Sequence, residues 1–129
     1  VSIWTHIAGV IRVDQLLINT RQLTEEEMIH LVALGAPVGS EDGLAFTASK
    51  TQSIDGAGFS LCWGHVSFGG DLRDYGFEDV KLLKTQWLEK IPNRLKVHSA
   101  AIRQAIVLVE PEDHDAIMYV YNDPEWIEK

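Results

Sequence analysis

Apolar and polar residues alternate at the start of the chain, in Ile3-Trp4-Thr5-His6-Ile7 and again in Val10-Ile11-Arg12-Val13. A period of two sends successive side chains to opposite faces of an extended backbone, so the stretch reads as one long strand or two collinear pieces. Glycine inside a strand pattern often marks a bulge, which places one at Ala8-Gly9. The period then changes. In Leu23-Thr24-Glu25-Glu26-Glu27-Met28, Thr24 can cap a helix, Glu27 can close a capping box, and Leu23 can staple onto Met28. Met28, Leu31 and Val32 fall on one helical face and Gly35 is a natural stop, which predicts a helix from Glu25 to Leu34.

Val38 to Gly43 is a polar loop, and Leu44 to Ser49 alternates like a half-buried strand. Ser53 to Gly58, rich in Gly, Asp and Ser, reads as a turn. Phe59 to Phe68 is apolar on both parities, as in a central strand, and would run antiparallel to the strand before it. Gly69 to Gly76 breaks the pattern, after which Val80, Leu83, Trp87 and Ile91 line one helical face until Pro92 forbids continuation. Asn93 to Ser99 is a connection, Ala101 to Val109 a buried-looking strand, Glu110 to Asp115 an acidic turn, and Ala116 to Tyr121 a last strand. The order β-α-β-β-α-β-β predicts a single α+β domain over residues 1–129. Its expected form is a ferredoxin-like split β-α-β sandwich with a mostly antiparallel sheet, both helices on one face and a terminal hairpin.

Two helices on one side leave the other side of the sheet bare. Trp4 and either Trp63 or Phe68 then need another cover, for which a homodimer or a bound protein is the simplest. The alternative cover is internal, from the loops Val38 to Gly43 and Ser53 to Gly58 or from Trp126.

Composition narrows the function classes. With 129 residues, 46% of them apolar, the chain can build a core that needs neither metal nor disulfide staples. Eleven basic against 19 acidic side chains leave a net charge of −8. Nucleic-acid binding draws on a surplus of Lys and Arg, so it is not expected, whereas a basic protein partner would be attracted. Cys62 is the single cysteine, which excludes an internal disulfide and suits a cytoplasmic setting. The first residues carry no basic leader, and no stretch approaches the roughly 18 consecutive apolar residues of a membrane span, so neither a secretory signal nor membrane insertion is expected.

The chemistry-bearing residues are scattered. Gly69-Gly70-Asp71-Leu72-Arg73-Asp74-Tyr75-Gly76 has the wrong glycine spacing for a phosphate loop, and two aspartates would repel a phosphate. Arg73 between Asp71 and Asp74 suggests local ion pairs fixing a turn, or a rigid polar loop that grips a partner. Asp71 or Asp74 could also work as an acid/base pair with His6 or His65, if a cleft brought them together. Ser40 lacks a nucleophile elbow, Cys62 beside Trp63 reads as core packing, and the five histidines show no zinc-ligand spacing. Glu112-Asp113-His114-Asp115 reads as a solvated turn rather than an ion loop. Phe59, Trp63 and Phe68 lack the basic residues of an RNA-stacking platform.

The blocks Ile3 to Asp14, Gly39 to Leu44, Gly70 to Tyr75 and Ile102 to Ile106 together resemble small uncharacterised phage and prophage proteins. That resemblance implies a context, a phage-encoded accessory protein in a bacterial cytoplasm that binds a host factor, and no catalytic residue. The expectation is therefore a non-enzymatic acidic binding protein without cofactor or metal. Its partner contacts would come from Asp71, Arg73, Asp74, Tyr75, Trp4 and Trp63, with self-association or another protein as the partner. A small enzyme using Asp71 or Asp74 with a histidine, and a structural component of a phage assembly, are the alternatives.

Overall fold

The computed structural model describes residues 2–129, with residues 51 and 52 described by their backbone only. Strand β1 spans Trp4–Leu17 and helix α1 Glu25–Ala33; β2 (Ala45–Gly56) and β3 (Phe59–Arg73) form a long hairpin. A helical segment follows, made of α2 (Phe77–Val80), α3 (Leu83–Gln86), a 3-10 turn (Leu88–Lys90) and α4 (Ile91–Lys96). The chain ends in β4 (Ala100–Pro111), β5 (Ile117–Asn122) and β6 (Glu125–Glu128). All six strands join one sheet in the order β2-β3-β1-β4-β5-β6, and every neighbouring pair is antiparallel.

The expected ferredoxin-like β-α-β-β-α-β-β sandwich is corrected by this arrangement. The molecule is dominated by its sheet, a sixth strand closes the chain, and the second helix is a run of short pieces rather than one rod. The differences have local causes. Gly69 and Gly70 do not break β3 but pair with Ala8 and Ile7. A side chain at 70 would stand 3.3 Å from Leu44 Cδ2, so glycine there lets the chain entering β2 lie close. Ser53 to Gly56 likewise stays in β2, and the turn contracts to Ala57-Gly58, whose glycine has φ +80°. The bulge lies between Arg12 and Val13 against β4, not at Gly9. Gly9 instead gives room to the ring of Phe68, which a Cβ would meet at 2.5 Å.

Val80, Leu83, Trp87 and Ile91 are all buried, as their spacing predicts. The segment nevertheless bends at Trp87, where φ −126° and ψ −69° leave the helical region. Pro92 does not end the segment but sits in the first turn of α4, where its missing N–H removes no helical hydrogen bond.

Helices and sheet meet on one face only. Ile7, Ile11 and Val13 of β1, Val66, Phe68 and Leu72 of β3, and Ile102, Val107 and Val109 of β4 point into the core. Met28 and Val32 of α1 and Leu83, Trp87, Leu88, Ile91 and Leu95 of the helical segment cover them. Trp87 is fully buried, packs edge-on against Phe68 at 5.2 Å between centroids, and donates its Nε1–H to the Val32 carbonyl at 2.7 Å. Gln15, buried on the core face of β1, donates to the carbonyls of Arg21 and His98 and accepts from the Leu23 N–H. That side chain satisfies the chain entering α1 and the chain entering β4 at once.

The capping box of α1 forms as its sequence predicts. Thr24 Oγ1 accepts from the Glu27 N–H at 3.1 Å, and the Glu27 carboxylate accepts from the Thr24 N–H at 3.0 Å. Hydrogen bonds from Arg21, backed by the Thr24 N–H, hold the Glu27 carboxyl down at about 2. Among the described residues no helix is long and apolar enough to cross a membrane.

Two substitutions rank these contributions. Trp87→Ala removes a fully buried indole and leaves the Val32 carbonyl unpaired, so urea denaturation should show a loss of about 3–5 kcal/mol. Thr24→Ala removes one cap and should cost about 1 kcal/mol in the same experiment.

Candidate functional site

The pleat of β1 sends its even-numbered side chains away from the helices, and the register extends that face across neighbouring strands as a series of rows. Asp71, His6 and Glu110 form one row; Gly69, Ala8, Leu108 and Met118 the next; Ser67, Val10, Ile106, Val120 and Ile127 the third. His65, Arg12 and Gln104 form the fourth. Two largely apolar rows thus lie between an acidic row and a row that carries a guanidinium. Ile106 is 43% exposed and Leu108 38%, although both sit mid-strand, so nothing in the described chain covers this face.

The expected internal covers lie elsewhere. Trp126 is buried on the helix side of the sheet, its ring edge-on to Tyr121 at 5.5 Å. Phe68 also faces the core, whereas Trp4 and Trp63 lie half-buried on the bare face, as strand parity requires. Arg12 reaches over the Trp63 ring at 5.2 Å from its centroid, and the Trp4 backbone N–H donates to Glu112 at 2.7 Å.

The segment read as a polar turn is the end of β3. Asp71 bonds His6 rather than Arg73, its Oδ1 lying 2.6 Å from Nδ1. Arg73 pairs with Glu41 and donates to Ser2 Oγ at 2.9 Å, with Asp74 only at 4.0 Å. Asp74 makes the actual turn, with φ 58°, and accepts from the Ser40 hydroxyl at 2.7 Å. Tyr75 turns inward. Burial, with Asp79 adding to it, pushes its phenol up to about 12, and its carbonyl accepts from buried Thr5.

Of the imagined acid/base pairings, His6 with Asp71 is the one that forms. The side chains are 50% and 64% exposed, so the pair stands on an open surface. His65 sits three rows away, beside Arg12. Among the described residues no group of three or more His, Cys, Asp or Glu could hold a metal ion. His114 stacks on Phe77, and Asp113 accepts from the Phe77 N–H, which assigns both a role at the start of α2. Cys62 is buried, and desolvation raises its thiol, so it behaves as a small core hydrophobe.

The fourth row opens onto a groove of about 420 Å³. It lies where β5 leaves β4: the β4–β5 register ends at Ile106 and Val120, while β4 continues back to Ala100 paired only with β1. Val10, Ile106 and Val120 form its apolar side, Arg12, His65 and Gln104 its polar side, and Tyr121 borders it at the fork. The sequence reading missed this site by taking Ala101 to Val109 as a buried strand. Ala105 to Val109 is apolar at every position, so the alternate exposure of Ile106 and Leu108 leaves no signal in the sequence.

The Asp71 hydrogen bond raises the His6 imidazole above its ordinary 6.5, with help from the charges of Glu112 and Glu110. A raised folded-state value means that the pair stabilises fully below the unfolded value, and that this contribution fades as pH climbs through the folded one. NMR titration should therefore place His6 above 6.5, and Asp71→Asn should lower it towards the ordinary value. The Asp71→Asn stability deficit should be larger at mildly acidic pH than at alkaline pH, and should fade as pH rises through the folded His6 value.

Comparison with known proteins adds no relative: no family model matches the chain, no curated protein matches it, and no solved structure matches its fold.

Proposed function

We propose that this chain is a non-enzymatic binding protein that works through its helix-free sheet face, and that the face docks first onto a second copy of itself. The observation that carries the reading is a pair of apolar rows, Ala8, Leu108 and Met118 beside Val10, Ile106, Val120 and Ile127, in which Ala8, Ile106 and Leu108 are exposed and the others half-buried, framed by polar rows. An apolar centre within a polar rim is the anatomy of a protein interface, and packing two such faces removes both from water. The net charge of −8 does not oppose this strongly. Much of it lies in α1, in the turns and in the helical segment, beyond about 8 Å of screening at physiological salt.

The earlier partner residues take unequal parts in this reading. Trp4, Trp63, Asp71 and Arg73 belong to the docking face or its rim, while Asp74 and Tyr75 shape the turn behind it. The resemblance to phage proteins supplies a fitting context, an accessory factor in a reducing bacterial cytoplasm where the buried thiol of Cys62 stays reduced. The exposed His6–Asp71 pair favours the acid/base reading in geometry alone, since neither residue lines the groove.

Light scattering coupled to size exclusion tests the proposal. The wild-type chain should elute as a dimer, and Leu108→Glu, which places a charge in the apolar rows, should give a folded monomer. A wild-type chain that stays monomeric at about 100 μM, a concentration far above the dissociation constant of an ordinary specific dimer, would refute self-docking and leave the face to a different protein.

A further inference from the structure

We infer that the groove at the fork of β4 and β5 is a binding site for a small organic carboxylate with an apolar body. Three observations meet there. The strands splay, so the groove cuts between Gln104-Ala105-Ile106 and Val120-Tyr121. Its volume of about 420 Å³ falls at the small end of ligand pockets, which run from about 300 to 1,000 Å³ and so restricts the occupant to a single ring or short chain. Its wall is divided in the way an amphipathic ligand requires, with Val10, Ile106 and Val120 on one side and Arg12, His65 and Gln104 on the other.

Arg12 supplies the charge selectivity. Its Nε donates to Asp14 Oδ1 at 2.9 Å and its Cζ lies over the Trp63 ring, 5.2 Å from the centroid, which together hold the guanidinium. Among the described residues its two terminal nitrogens have no hydrogen-bond partner, nor do the side chains of His65 and Gln104, which flank it in register. A guanidinium edge bonds a carboxylate through two parallel N–H groups, which a neutral amide cannot reproduce. The bulge between Arg12 and Val13 lies at this row, a position at which bulges commonly re-aim side chains.

The groove shares Val10, Ile106 and Val120 with the apolar rows, so a docked second copy would compete with the ligand on the wild-type chain. Leu108 does not line the groove, so the same titration on Leu108→Glu reports on the site whether or not wild-type chains associate.

The probe is 3-phenylpropanoate, with 3-phenylpropanamide as its uncharged match, followed by amide chemical shifts on the labelled wild-type chain and on Leu108→Glu. Saturable shifts at Gln104, Ala105, Ile106, Val120 and Tyr121 are expected with the acid, with binding at least about tenfold weaker for the amide. Arg12→Gln should weaken the acid to the level of the amide while leaving the amide unchanged, a comparison that separates lost charge from lost folding. Equal binding of acid and amide, shifts centred away from the fork, or no saturable binding to either chain in the millimolar range would each overturn the inference.

Discussion

Trp87 is the contact on which the arrangement of helices over the sheet depends. Its indole occupies the space between α1 and the β-sheet, and its single N–H ends on the Val32 carbonyl in the last turns of α1. Burying so large a ring demands that its polar atom be paired, and the pairing chosen joins the helical segment to the other helix. The backbone departs from helical geometry at Trp87 itself, so the segment bends there and continues along the sheet as a 3-10 turn and α4. Phe46 and Phe68 meet the same ring from β2 and β3. One side chain therefore relates α1, the helical segment and two strands.

The consequence is a strongly one-sided molecule. Every helix lies on the face that Trp87 organises, and the terminal hairpin of β5 and β6 adds Trp126 to that same side. The opposite face is left with an ordered set of rows, acidic, apolar, apolar and guanidinium-bearing, because antiparallel register aligns like parities across β3, β1, β4 and β5. Both functional readings come from this asymmetry. The apolar rows suit another protein surface, and the fork at the end of β5 suits a small ligand.

Legibility in the sequence followed the range of the interactions involved. Thr24, Glu27, Leu23 and Met28 lie within one helical turn of each other, so the capping of α1 and its limits were readable. Val80, Leu83, Trp87 and Ile91 announced a buried helical face but not its bend, since the bend answers to Val32 and the sheet. Gly69, Gly70 and the run Ser53 to Gly56 read as turns because a glycine looks alike in a turn and inside a strand, and Asp and Ser beside it strengthen the turn signal. Asp71 illustrates the limit at the site. Its nearest cation in sequence is Arg73, yet the pairing of β3 with β1 sets it opposite His6, 65 residues away, while Arg73 turns to Glu41.

The amino-acid sequence by itself determined the alternation of strands and helices, the capped helix, the apolar positions of each element, the acidic charge and the lack of an internal disulfide. These are consequences of local periodicity and composition, which neighbouring residues carry without reference to the rest of the chain. Only the tertiary structure decided that the strands continue through their glycines, that the sheet gains a sixth member, and that His6 meets Asp71 while Arg12 stands between His65 and Gln104. Those outcomes depend on register between strands distant in sequence, and register is chosen by the whole core packing at once.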